Sequence, residues 1–136
     1  MTDGLRIEIR WRDLDVYGHV NNAVYLSYLE EARDRWLAAT LGDSEEIWNW
    51  VLARVAIDYR TELTRADGAV WGTCGVARLG RSSVTTREVL RKADGTIAAE
   101  AEAVLVARDP GTGSSRPIRD DERALLEAVA AGGPAA

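Results

Sequence analysis

Between Asn22 and Leu41 the chain carries one apolar stripe, Tyr25, Leu29, Ala32 and Trp36, at the i, i+4, i+7, i+11 spacing of a single helix face. Glu31 and Arg35 stand at i, i+4 on the other side, in the order that favours an ion pair. Gly42 follows the last turn, where a glycine commonly ends a helix. A helix with one apolar stripe must bury it against another element.

The rest of the chain supplies that element. Leu5, Ile7, Ile9 and Trp11 alternate with Arg6, Glu8 and Arg10, the period of a half-buried strand. Val51, Ala53, Val55, Ile57 and Tyr59 do the same, with Arg54 and Asp58 on the other face. Asp67-Gly68 and Asp94-Gly95 are hairpin signals, which divide the remainder into strands near Ala69–Leu79, Ser82–Lys92 and Thr96–Arg108. Asp43–Trp50 reads as a short helical turn capped by Ser44, Gly111–Arg116 as a loop, and Arg119–Ala130 as a terminal helix opening on Asp120. The order is strand, long helix, then four strands. It predicts an α+β fold of about five antiparallel strands and one long helix, in a single domain spanning residues 1–136 with a frayed tail at 131–136.

Composition narrows the chemistry. At 136 residues one domain can bury roughly 70 % of its unfolded surface. No apolar run approaches the ~20 residues of a membrane span, and the first residues lack a signal pattern, so a cytoplasmic protein is expected. One Cys (Cys74) and one His exclude an internal disulfide and argue against a dedicated metal site; no cofactor is implied. A net charge of −5 argues against nucleic acid as a partner. The charge is uneven, however. From Ala77 to Lys92 the positives Arg78, Arg81, Arg87, Arg91 and Lys92 face Glu88 alone, so a small anion could dock there as readily as the segment could be a solvated face.

The densest polar cluster lies just ahead of the long helix, in RDLDVYGHVNNAVYLSYLEEAR. Backbone N–H groups at a helix start lack intrahelical partners and carry about half a positive charge. An oxyanion developing there meets ready donors, and a carboxylate beside it can attack or activate water. Asp13, Asp15, Asn21 and Asn22 occupy this zone, with Gly18 free to turn the chain. Asn and Asp are also favoured caps and turn formers, so spacing leaves both readings open.

The stretch DLDVYGHVNNAVYLSYLEEAR closely resembles the D-x-D-x-x-G-H-V-N-N-x-x-Y opening of hotdog-fold acyl-CoA thioesterases of the 4-hydroxybenzoyl-CoA thioesterase-like group. The likeness continues through the I-D-Y strand (Ile57, Asp58, Tyr59), the acidic turn at Asp67 and the G-R-S-S turn from Gly80 to Ser83. It implies a sheet wrapped round the long helix, a homodimer or homotetramer, a site at the subunit interface, and acyl-CoA as substrate. Carried over by position, Asp15 is the catalytic carboxylate, and the backbone N–H of Asn22 polarises the thioester carbonyl. Arg81, Ser82 and Ser83 lie near the coenzyme A arm. Tyr25 and Tyr59 are candidates for the substrate side, although Tyr25, like Tyr28, also fits the core. Where many relatives have Pro after the I-D-Y strand, this chain has Glu62.

Thioester hydrolysis expels a thiolate, and alkyl thiols have pKa values around 8.5, so the leaving group needs little acid help. One carboxylate and one oxyanion-stabilising helix terminus can then suffice. Asp15 can act as nucleophile or as general base. Asp13 fits a loop brace better than a second catalyst, and His19 a hydrogen bond to the loop better than a direct proton role. Glu30 and Glu31 read as solvated helix charges, Cys74 as a small buried strand residue, and Trp48 and Trp50 as pocket or packing residues. Two other readings compete: a non-catalytic acyl-CoA or metabolite binder, and a hotdog hydratase or dehydratase using His19.

Overall fold

Strand β1 spans Leu5–Glu8 and pairs antiparallel with β3, Ala69–Leu79, in the register Leu5↔Gly72 and Ile7↔Val70. The computed structural model describes residues 4–130; the tail expected at 131–136 lies outside them. Helix α1 runs Asn22–Leu41, followed by β2 (Trp50–Tyr59), β3, β4 (Ser83–Arg91), β5 (Ile97–Ala107) and helix α2 (Asp120–Ala130). The strands form one five-stranded sheet in the order β1-β3-β4-β5-β2. This is the α+β fold that the element order predicts, in the hotdog form that the resemblance implies.

The described residues fall into two compact units. The first holds the chain up to Arg35, Ile57–Cys74 and Glu88–Ala101; the second holds Trp36–Ala56, Gly75–Arg87 and the chain from Glu102.

In the first unit the helix stripe is buried as its spacing requires: Tyr25, Leu29 and Ala32 are all nearly inaccessible. They share the interior with Val70, Leu90, Ala98 and Ala99. Gly72 explains how close the helix comes to β3. A Cβ added there would lie 2.6 Å from the Cβ of Ala32, so only a residue without a side chain admits this contact. Arg33 and Glu88 form a buried bidentate pair, with Nε to Oε2 at 2.7 Å and Nη2 to Oε1 at 2.8 Å. Cys74 is partly exposed, its Sγ 3.8 Å from Glu88 Oε2.

In the second unit Trp36 and Leu37 of α1 are buried, as are Ile47, Trp50, Val84, Leu105, Ile118 and Leu126. Helix α2 is held by charge. Glu122 accepts from both terminal nitrogens of Arg116, at 2.8 and 3.0 Å, and from the Arg119 N–H at 3.0 Å. Arg123 donates to the Gly80 carbonyl at 2.7 Å.

Three expectations need correction. Trp11 does not extend β1: a 3₁₀ turn at Trp11–Asp13, tied by Arg10 and Asp13, lifts it off the strand and leaves it 73 % exposed. Asp67-Gly68 is not a hairpin, because β2 and β3 are not neighbours in the sheet; a 3₁₀ turn at Arg65–Asp67 feeds β3 instead. Asp94-Gly95 does join neighbouring strands, with Lys92 N–H donating to the Thr96 carbonyl at 2.8 Å. Finally, β2 is a strand but has no buried face over most of its length. Val51, Leu52 and Tyr59 are 40 %, 41 % and 44 % exposed, because β2 lies at the sheet edge.

Candidate active site

The segment between β1 and α1 folds as a tight loop held by its own backbone. Leu14 and Val20 form an isolated antiparallel bridge, the Asp15 N–H donates to the His19 carbonyl at 2.8 Å, and Gly18 N–H returns to the Asp15 carbonyl at 3.1 Å. Gly18 has φ +81°, a left-handed conformation that would strain most other residues. The loop is docked on the segment after β2: Val20 N–H donates to the Leu63 carbonyl at 2.8 Å, and His19 bridges Thr64.

The two aspartates have different environments. Asp13 is buried, and its carboxylate accepts from Tyr28 Oη at 2.6 Å, Arg10 N–H at 3.0 Å and Arg10 Nη2 at 3.1 Å. Burial alone would raise its pKa, but the bonds from Tyr28 and Arg10 outweigh this and hold the carboxyl below its ordinary value. Asp13 is therefore a brace, as its position in a turn suggests. Asp15 is partly exposed and uses one oxygen only. Its Oδ1 accepts from Tyr17 N–H at 2.9 Å and His19 N–H at 3.3 Å, whereas Oδ2 accepts no hydrogen bond among the described residues. One oxygen anchors the carboxylate; the other is left open.

The start of α1 shows the same economy. Asn21 caps the helix: its Oδ1 accepts from Ala23 N–H at 2.9 Å, its carbonyl accepts from Val24 N–H at 2.9 Å, and its own N–H donates to the Asp13 carbonyl at 2.9 Å. The N–H groups on both sides of Asn22 are thus occupied. That of Asn22 has no partner among the described residues. It is the open donor at the positive end of a helix.

The remaining candidates separate clearly. His19 Nε2 lies 3.2 Å from Glu62 Oε2, with both side chains partly exposed. Tyr25 is 2 % exposed and accepts the Leu63 N–H at 2.9 Å, so it supports the loop from beneath. Tyr59 packs edge-on against Tyr25, with centroids 5.0 Å apart, and its hydroxyl donates to the Asn22 carbonyl at 2.9 Å. Glu30 and Glu31 are solvent-exposed. In the second unit Trp50 is buried under the Arg116 guanidinium, and Trp48 is exposed. The G-R-S-S turn closes through Gly80 N–H to the Ser83 carbonyl at 2.8 Å, and the Arg81 side chain is exposed with no carboxylate partner among the described residues. Sequence reasoning missed Tyr28 as the partner of Asp13 and Glu62 as the partner of His19. Glu62 was marked only by standing where relatives carry Pro.

The fold carries an open carboxylate oxygen and an open helix-start amide on one loop–helix junction, and comparison with known proteins identifies the family. The profile of the thioesterase-like superfamily matches residues 9–129. The long-chain acyl-CoA thioesterase FadM of Escherichia coli K12 is 30% identical over 128 residues, covering 90% of this chain and 95% of that protein. A thioesterase structure from Thermus thermophilus, complexed with coenzyme A and Zn, is 35% identical and superposes with a TM-score of 0.84, over 96% of this chain and 94% of that one. The structure of a predicted thioesterase from Bacillus stearothermophilus is 27% identical, with a TM-score of 0.81 over 92% and 93% of the two chains. The chain belongs to the thioesterase-like superfamily and is a thioester hydrolase of the hotdog fold.

Proposed function

We propose that the protein is a single-domain acyl-CoA thioesterase that hydrolyses an acyl- or aroyl-CoA to the free acid and coenzyme A, with Asp15 and the Asn22 N–H as its working groups. The observation that carries this reading is the pair of open valences at one loop–helix junction: Oδ2 of Asp15 and the N–H of Asn22. The thioester oxygen accepts from Asn22 N–H, at a helix terminus whose dipole favours developing negative charge. Asp15 Oδ2 then either attacks the carbonyl carbon or takes a proton from the water that does. In both routes the C–S bond breaks and the thiolate leaves without a general acid, which its low basicity permits; in the first, water then cleaves the acyl–Asp15 anhydride, freeing the acid and restoring the carboxylate.

The names of the relatives support coenzyme A as the carrier: one is a long-chain acyl-CoA thioesterase, another was solved with coenzyme A. Arg81, with Ser82 and Ser83, is our candidate for the nucleotide end, since an exposed guanidinium can grip phosphate with paired hydrogen bonds. We also propose a homo-oligomer acting in the cytoplasm. A ten-residue edge strand with exposed Val51, Leu52 and Tyr59 is a template for pairing with a second copy.

A thiol-release assay across short, long and aromatic acyl-CoAs tests the activity; release from none of them refutes it. One observation favours a second reading. The His19–Glu62 contact is a His–acid pair of the type that proton-transfer chemistry on acyl thioesters uses, as in a hydratase or dehydratase. Loss or gain of water across an enoyl thioester, followed by absorbance, separates the two.

A further inference from the structure

Asn22 is held from both sides. On its N-terminal side, Asn21 is clamped through its N–H to the Asp13 carbonyl and through Oδ1 to the Ala23 N–H, each at 2.9 Å. On its C-terminal side, the Asn22 carbonyl accepts the hydroxyl proton of Tyr59 at 2.9 Å. A first-turn helix carbonyl already faces the N–H four residues on, so Tyr59 supplies a second donor to it. That bond is not needed to satisfy a buried phenol. Tyr59 is 44 % exposed, and water could solvate its hydroxyl. Instead the ring is set edge-on against Tyr25, at 83° between planes, and Tyr25 is itself fixed by the Leu63 N–H. The last residue of β2 is thus locked onto the first residue of α1.

We propose that Tyr59 is a positioning residue that aims the Asn22 N–H at the reacting carbonyl by fixing the adjacent peptide. The inference rests on the reading of Asn22 N–H as the oxyanion donor and adds a residue to it. An oxyanion donor works only within a few tenths of an ångström of its acceptor, and the orientation of the Asn22 N–H follows from the peptides on either side of it. Pinning the carbonyl of Asn22 removes the freedom that a fraying first turn would otherwise have. This makes Tyr59 a support for the site and not a wall of the substrate pocket.

The test is Tyr59→Phe, which keeps the ring contact with Tyr25 and deletes only the hydroxyl. We expect kcat to fall by about fivefold to thirtyfold, less than the roughly hundredfold or more that removing a whole oxyanion donor costs. KM for acyl-CoA should change less than about twofold, because the contact acts in the transition state. Amide hydrogen exchange at Ala23, whose N–H is held by Asn21 Oδ1, followed by NMR in the resting protein, should accelerate while the melting temperature stays close to that of the wild type. Unchanged kcat overturns the proposal. A rise in KM at constant kcat overturns it by placing Tyr59 against the substrate. A large loss of melting temperature with equal loss of all parameters overturns it by making the bond a general brace. Failure of the wild-type protein to release thiol from any acyl-CoA defeats the underlying thioesterase reading, whereas an active wild type with an unaltered Tyr59→Phe variant defeats this inference alone.

Discussion

Tyr28 Oη donates to Asp13 Oδ2 at 2.6 Å, from the face of α1 to the turn that precedes it. With three further bonds from Arg10, at 3.0, 3.1 and 3.4 Å, this occupies the Asp13 carboxylate, whereas Asp15, two residues on, keeps one oxygen open. Asp13→Asn should therefore lower stability by ~2 kcal/mol, the range for a hydrogen bond to a charged group, while kcat falls much less than in an Asp15 variant. Urea denaturation midpoints and steady-state kinetics on the same preparation check both halves.

The same bonds give a pH dependence of stability. Asp13 is pushed up by burial but held below its ordinary 3.8 by Tyr28 and Arg10; Glu122 is likewise pushed up by burial and held below 4.5 by Arg116 and the Arg119 N–H. Each binds fewer protons folded than unfolded near these values, so its contribution is complete above the unfolded pKa and is lost as pH falls through the folded one. Asp34, raised by burial and by Glu30, has the opposite slope. Unfolding midpoints should fall as pH drops below about 4.5, and Asp13→Asn should flatten that fall.

Asp15→Asn should fold as the wild type does, since the Asn oxygen can still accept from Tyr17 and His19 N–H, and should lose at least about a hundredfold in kcat. In a single wild-type turnover in ¹⁸O water, label entering the Asp15 carboxylate marks an anhydride opened at the aspartyl carbon. Wild-type turnover in the variant would remove Asp15 from the site.

His19→Asn and Glu62→Gln should each keep turnover within about tenfold of the wild type, because the pair is half exposed and water can replace either partner. Loss as deep as that of Asp15→Asn would move the hydratase or dehydratase reading ahead.

Arg81→Ala should raise KM for acyl-CoA more than it lowers kcat, because a phosphate contact at the nucleotide end is the same in the ground and transition states. The difference should shrink at high salt and with acyl-pantetheine, which lacks the nucleotide. Equal loss with the truncated thioester would make Arg81 structural.

The edge strand predicts a dimer or larger assembly in solution. Leu52→Glu on β2, where Leu52 is 41 % exposed, should shift the mass measured by light scattering toward the monomer. An active wild-type monomer at micromolar concentration would refute a shared site.

What the sequence determined by itself is local. The apolar stripe specified α1 from Asn22 to Leu41, and Ser44, Gly18 and Asp94-Gly95 marked the turns that they now make. The turn at Asp15 and the helix start at Asn22 were legible because turns, caps and helix ends are built from hydrogen bonds between residues a few positions apart. Tertiary structure decided the rest. It placed β2 beside β5, so Asp67-Gly68 could not be a hairpin and the alternation in β2 found nothing to bury against. It brought Glu62 to His19, Tyr28 to Asp13, Tyr59 to Asn22 and Arg33 to Glu88. These partners are separated by many residues, and their meeting follows from strand order and close packing. Periodicity reports which face of an element is apolar; it carries no information about which distant element will cover that face.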